Sequence, residues 1–513
     1  MTEFLALLGA CLLVAVILAV SIAGPAAALY RRGVSGVLAL GAGMTASALA
    51  GWLCFFAFVA HPAFGTAIQI LMLAGFAWLA WSQRMVYAGS EARADILAPV
   101  LGALSVGILL LLITFGSGQH ADYLIMAATA YSHPLPDDNQ LPFVFAEMIR
   151  SGEFRSPMRG DWLSSDRPPL QTGMVLLYGP PFISGGSVLF YQTVSTLAQT
   201  LALMGCYVLA RSLGAGRVAG WMAFALAAAS PLFLVHSVFV LPKLLPAGLV
   251  CVTAALFFTR TLADVRLRAS AGALAGLAAA LSFGAHGATA FVLIGFAAAA
   301  LALHRIPSIA FSAAGLATFA ASYLPWTLYQ HFVDPPGDRL LKWHVGGSIP
   351  VDDRGVLETL LDSLRDVSAA DWLYGRLLNL EQIISDPMAR FTAPVRLLLA
   401  DDRAAMAGHL RAVDFFHWSA GLGLVAPVLL LLPVALLLPG TRPLAAAIAA
   451  SLLVWAALIF DPGGAVTHQG SFFPQLAVFA LVGYAASHVG WRFAAVLAGL
   501  QLVALALVYF VFS

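Results

Sequence analysis

Long apolar runs recur along the chain, separated mostly by short connections, and two long polar interruptions break the rhythm. The runs at 4–28, 35–59, 64–82, 96–116, 188–210, 216–235, 238–259, 270–284, 287–304, 308–328, 419–438, 443–460, 472–488 and 491–512 read as candidate membrane spans, about fourteen in all, since roughly 20 apolar residues cross a hydrocarbon core. Residues 174–187 (MVLLYGPPFISGGS) are also apolar, but Pro180 and Pro181 break the run, so a short or re-entrant helix is expected there. The interruptions cover 117–187 and 329–418. Within the second, 355–366 (GVLETLLDSLRD) and 373–383 have amphipathic spacing and predict a small helical external cap, with WHVGG (343–347) as a glycine-hinged, flexible segment. The sequence has no internal repeat and no low-complexity linker. The expected fold is an all-α polytopic membrane protein of about 13–14 transmembrane helices. Its expected divisions are 1–95, three N-terminal spans; 96–328, a core holding the first long loop; 329–418, the cap; and 419–513, the C-terminal spans.

Composition removes the soluble alternatives. Mean hydropathy is +0.90 and only 10% of residues are charged, against about 25% in a soluble domain. A net charge of +1 lacks the basic footprint of a nucleic-acid partner. Cys11, Cys54, Cys206 and Cys251 lie in apolar runs and imply no disulfide framework. Residues 4–20 resemble a signal peptide, but Thr2 and Glu3 stand where a basic n-region belongs, so a retained first span is expected. Every second short connection is basic: Arg31 and Arg32; Arg84 and Arg93; Arg211 and Arg217; Arg260, Arg266 and Arg268; Arg305; Arg442; and Arg492. The alternate connections 61–65, 283–287 and 461–471 carry no Lys or Arg. The positive-inside rule then places both termini and both long loops outside, which for a bacterial inner-membrane protein is the periplasm.

The first long loop holds the candidate chemistry. Residues 131–173, YSHPLPDDNQLPFVFAEMIRSGEFRSPMRGDWLSSDRPPLQTG, put Asp137, Asp138, Asp161, Asp166 and Arg167 beside a lipid boundary, where charges are costly. Leu141, Phe145, Met148 and Ile149 fall roughly on one helical face, so an interfacial helix over 139–151 would hold the acidic pair at headgroup depth. A carboxylate there suits a general base for an acceptor hydroxyl, and Arg167 suits a departing lipid phosphate. The same residues also have ordinary readings. Asp after Pro134 and Pro136 is a common cap or turn choice, and Asp161 and Asp166 fit solvated loop positions. Arg167 and Lys243 fit snorkelling at a membrane edge, and His286 beside Gly287 fits a tight turn. His236 and Ser237 fit the interfacial end of a span, and His468 and Gln469 a structural role at the outer rim.

These residues carry a resemblance. DDNQLPFVFAEMIRSG (137–152) resembles the acidic-pair motif in the first external loop of GT-C superfamily membrane glycosyltransferases, most of all the protein O-mannosyltransferase and aminoarabinose (lipid A) transferase families. DRPPLQTG (166–173) is similar to their Lys/His-Pro-Pro-Leu segment. YVLARSLG (207–214), SPLFLVHSVFVLPKLLPAGL (230–249), GLAAALSFGAHGATAFVL (276–293) and HQGSFFPQLAVFALVGY (468–484) follow in the family's order, so the likeness covers about 95–330 and 415–490. The spans at 4–82 have no counterpart in the core of those families.

The resemblance implies a glycosyltransferase that moves a sugar from a polyprenyl-phosphate donor to an acceptor hydroxyl, with inversion. Asp137 and Asp138 take the acidic pair, one of them the base. Arg167 takes the place of the Lys or His before Pro-Pro as a donor-phosphate contact. Lys243 stands where many relatives have an Asp, which speaks against a second carboxylate or a metal there and suggests another phosphate or acidic-sugar contact. His286 replaces the basic residue of a Lys-Gly-Pro turn and retains donor ability. Asp166, His344, His468 and Gln469 are further candidates for substrate binding, and the cap for acceptor selection. The acceptor class stays open among lipid, glycan and protein. No cofactor is expected: the pairs Asp352–Asp353 and Asp401–Asp402 suit a divalent cation, but no spacing matches a zinc or EF-hand site. The competing readings are a lipid-linked saccharide flippase, which needs polar residues along several spans; an O-antigen ligase or polymerase, which relies on Arg and His in one large external loop; and an inactive relative acting as an assembly partner.

Overall fold

The computed structural model describes residues 2–116, 122–129, 135–180, 188–214, 216–258, 268–348, 350, 354–384, 388–411, 420–461 and 472–510. The described residues form helices joined by turns, with one isolated bridge between Arg159 and Trp162. Each expected span coincides with an apolar helix or helix pair. Among the described residues six helices are long enough alone to cross a bilayer, including Thr2–Arg31, Gly36–Ala60, Val188–Ser212 and Ile309–Phe332. This is a multi-pass membrane protein. The span expected at 216–235 is a pair, Arg217–Ala229 and Pro231–Phe239, bent by 67°. Ser230 causes the bend locally: its Oγ accepts the Phe233 N–H, and Pro231 opens the second helix where a missing N–H costs nothing. The span expected from 238 begins at Leu244, which leaves Lys243 in the turn before it.

In the first long loop, Leu141–Ser151 is helical, begins with Pro142 in its first turn and stops at Gly152 with φ +72°. It buries Leu141, Phe145, Met148 and Ile149, the face expected from their spacing. The stretch opening at 170 is the short buried helix Leu170–Tyr178. The cap contains Arg339–Gly346, Val356–Arg365, Ala369–Ile384, Ala389–Leu399 and Arg403–Arg411. WHVGG is not a flexible hinge here. It is the end of Arg339–Gly346, closed by Gly347 at φ +68° and tethered by the Phe460 N–H to the His344 carbonyl at 2.8 Å.

The three N-terminal spans acquire a structural role that the sequence leaves open. Gly36–Ala60 crosses Leu170–Tyr178 backbone to backbone: a Cβ on Gly173 would sit 2.2 Å from the Gly51 carbonyl oxygen. Trp52 Nε1 donates to the Ser322 carbonyl at 3.0 Å. Phe55 packs edge-on against Phe145 of the interfacial helix and against Trp326. Gln69 Nε2 donates to the carbonyls of Leu177 and Gly179 at 3.0 and 2.7 Å, which satisfies the end of Leu170–Tyr178. The N-terminal helices therefore brace the elements that carry the loop chemistry. At the opposite, basic end, Asp95 pairs with Arg211 and Arg217 at 2.8 and 2.9 Å.

Candidate functional site

Asp138 lies in the single turn Asp137–Gln140 that leads into the interfacial helix. Its neighbour Asn139 is fully buried and fixes it from behind, with Nδ2 donating to the Leu124 carbonyl at 3.2 Å and its own carbonyl accepting the Tyr191 hydroxyl at 2.6 Å. Arg167 approaches from the other side. It precedes Pro168, so its backbone is held extended at φ −118° and ψ 116°. The two expected residues meet: Arg167 Nη2 donates to Asp138 Oδ2 at 3.2 Å. Asp138 Oδ1 and Arg167 Nε are both buried with no hydrogen-bond partner among the described residues. Leaving such a polar atom unpaired costs about 1–3 kcal/mol, more for charged groups, so both atoms call for a partner such as water or a ligand. Asp137's side chain, His468 and Gln469 lie outside the described residues.

Buried amides bring the later residues to this pair. Val240 adopts a left-handed conformation (φ +56°) and its carbonyl accepts from Gln171 Nε2 at 2.6 Å. Gln199 Nε2 donates to Gln171 Oε1 at 3.1 Å, while Gln199 Oε1 accepts the N–H groups of Leu244 and Leu245, both at 2.9 Å. This side chain thus serves as a cap for a helix that has none of its own. The relay pins the turn holding Lys243 to the helix that follows Arg167. The His286 turn is tied to the same helix by the Leu170 N–H, which donates to the Gly284 carbonyl at 3.0 Å. Asp138, Arg167, Pro242, His286 and His344 consequently line one cavity of roughly 500 Å³ including its mouth. A larger one of roughly 1210 Å³ shares Pro168, Gly287 and His344 with it and runs along Phe283, Tyr323 and Trp326.

Lys243 departs from the snorkelling reading. It is 1% exposed, so it does not snorkel, and it is absent from the cavity wall. Its ammonium lies 5.4 Å from the Phe472 ring centroid, within the electrostatic reach of Asp138 and Arg167. His286 sits in its turn and also lines the cavity. Burial, then Lys243, His344 and Arg167, push its imidazole well below the usual histidine range. Its Nδ1 accepts the Ala288 N–H at 3.3 Å, which leaves the proton of the neutral ring on Nε2 as a donor. His344 is likewise neutral, pushed down to about 4 by burial, with Arg167 and Lys243 adding to the effect. Its Nδ1 donates to the Leu340 carbonyl, so its other nitrogen is an acceptor. His236 and Ser237 are both 0% exposed, and His236 packs on Phe472.

Asp166 corrects the solvated-loop reading. It is buried beside Arg339 of the cap, Oδ2 accepting the Leu163 N–H at 2.9 Å and lying 3.5 Å from Arg339 Nη1. Burial pushes its carboxyl up, against the Leu163 N–H and the two arginines. It lines the larger cavity. Asp161 stays exposed, and its hydrogen bond from Arg339 holds it below the usual carboxylate range. Asp401 and Asp402 are exposed, and Asp352 and Asp353 lie outside the described residues. Among the described residues no group of three or more His, Cys, Asp or Glu is placed to hold a metal ion. Gln171, Gln199, Trp162 and Arg339 are not among the residues singled out above. Polar residues inside apolar helices are the signal that points to the two glutamines.

No family model and no curated protein matches the chain. The chain is similar to a crystal structure described as ArnT from Cupriavidus metallidurans bound to undecaprenyl phosphate, at 16% sequence identity and a TM-score of 0.42. The likeness covers 80% of this chain and 63% of the other, so it spans less than two thirds of that protein.

Proposed function

We propose that this chain is a glycosyltransferase that uses a sugar carried on a polyprenyl phosphate, acting at the outer face of a bacterial inner membrane. Asp138 Oδ1 takes the proton of an acceptor hydroxyl. The acceptor oxygen attacks the anomeric carbon, the bond from that carbon to the phosphate oxygen breaks, and lipid phosphate leaves with inversion at the sugar. Arg167 neutralises the departing phosphate, His286 donates from Nε2, and the buried charge of Lys243 favours the anion. Asp166, on the wall of the larger cavity, is held by the cap, and His344 faces both cavities.

The observation that carries this reading is the pair of buried, unpartnered atoms, Asp138 Oδ1 and Arg167 Nε, on one cavity in a multi-pass protein. An acceptor-only atom beside a donor-only atom suits a hydroxyl next to a phosphate. Binding of a polyprenyl phosphate compared with its parent polyprenol tests it. A charge-assisted contact of about 1.5–3 kcal/mol predicts roughly 10- to 100-fold tighter binding of the phosphate. Equal affinities would refute the reading.

A further inference from the structure

Arg167 does more than pair with Asp138: its guanidinium also lies against the Trp162 indole, Cζ 4.2 Å from the ring centroid. Arg339 of the cap rests on the same indole at 4.3 Å. Two cations on one ring repel unless each has its own anion and its own anchor. Arg167 has Asp138 at 3.2 Å. Arg339, 3% exposed, donates from Nη2 to Asp161 Oδ2 at 2.5 Å and from Nη1 to the Asp161 carbonyl at 2.9 Å, with Asp166 at 3.5 Å. The indole itself is fixed by a tight turn, its backbone N–H donating to the Arg159 carbonyl at 2.9 Å and its carbonyl accepting the Met158 N–H at 2.7 Å.

We infer that Trp162 and Arg339 are positioning residues for Arg167: the indole holds the flat of the guanidinium, and Arg339 holds the indole. A cation over the ring face is held without a hydrogen bond, so the guanidinium N–H groups remain for Asp138 and the cavity. An arginine without that support would swing on its flexible stem and lose part of its preference for a phosphate. Arg339 belongs to the helix Arg339–Gly346 that also places His344 on the cavity wall, so one element of the cap fixes both.

This inference rests on Arg167 facing a lipid phosphate. The test measures affinity of the purified full-length protein for a polyprenyl phosphate and for its parent polyprenol, in the wild type, Trp162→Leu and Trp162→Phe. Trp162→Leu is expected to cut the phosphate-over-alcohol preference about tenfold, or about 1.4 kcal/mol. Trp162→Phe, with a weaker but present ring, is expected to cut it only about threefold and serves as the reading if the leucine variant does not fold. Affinity for the polyprenol stays unchanged in both. An unaltered preference in either folded variant overturns the role, as does an equal loss for alcohol and phosphate, which would mark Trp162 as a mere fold residue. A wild-type protein with no phosphate preference would instead remove the functional reading, and this role with it.

Discussion

Asp138→Asn is expected to lower sugar transfer about 10²- to 10⁴-fold, the usual contribution of a general base, while leaving binding of the lipid phosphate intact or tighter. The two readouts separate because the substitution keeps size and shape but deletes a negative charge beside the anion site. Asn139, held by Leu124 and Tyr191, keeps the turn in place whatever stands at 138. Transfer assays with a polyprenyl-phosphate sugar, together with lipid binding, check both halves. Wild-type transfer in a folded Asp138→Asn protein would assign the base elsewhere. The Asp137 side chain would then be the first alternative, tested by Asp137→Asn.

The second large effect is at Arg167. Arg167→Ala is expected to reduce transfer about 10²- to 10³-fold, close to the loss of one preorganised donor at developing charge, and to erase the phosphate-over-alcohol preference in binding. Arg167→Lys restores the charge without the planar fork or the stacked face, so it should recover only part of either quantity. The contrast with Asp138→Asn is diagnostic: one residue moves chemistry alone, the other chemistry and binding together. A flippase would not show that split. Its expected polar pathway is also hard to reconcile with Gln171 and Gln199, whose amides are engaged in holding backbone turns.

The spans were legible because a bilayer demands length and apolarity, which any window along the sequence registers. The meeting of Asp138 and Arg167 was expected from the resemblance, which gives one the role of base and the other that of phosphate contact; locally, only Pro168 marks Arg167, by holding its backbone extended. What escaped the sequence depends on pairing across distance. Asp166 looked like a loop residue because its partner Arg339 lies in the other long loop. No local pattern marks Trp162; its weight comes from two arginines, one from each long loop, against its ring. No local pattern marks Gly51 and Gly173, and only their contact shows that the N-terminal spans brace Leu170–Tyr178. Lys243 escaped for another reason: one position separates Pro242 on the cavity wall from a lysine that the fold buries.

A structure of the protein with a polyprenyl phosphate bound tests the central claim most directly. A phosphate oxygen is expected within about 3 Å of Arg167 Nε, with Asp138 Oδ1 facing open space on the sugar side. Phosphate seated away from the guanidinium, or Asp138 turned out of the cavity in the complex, would contradict it.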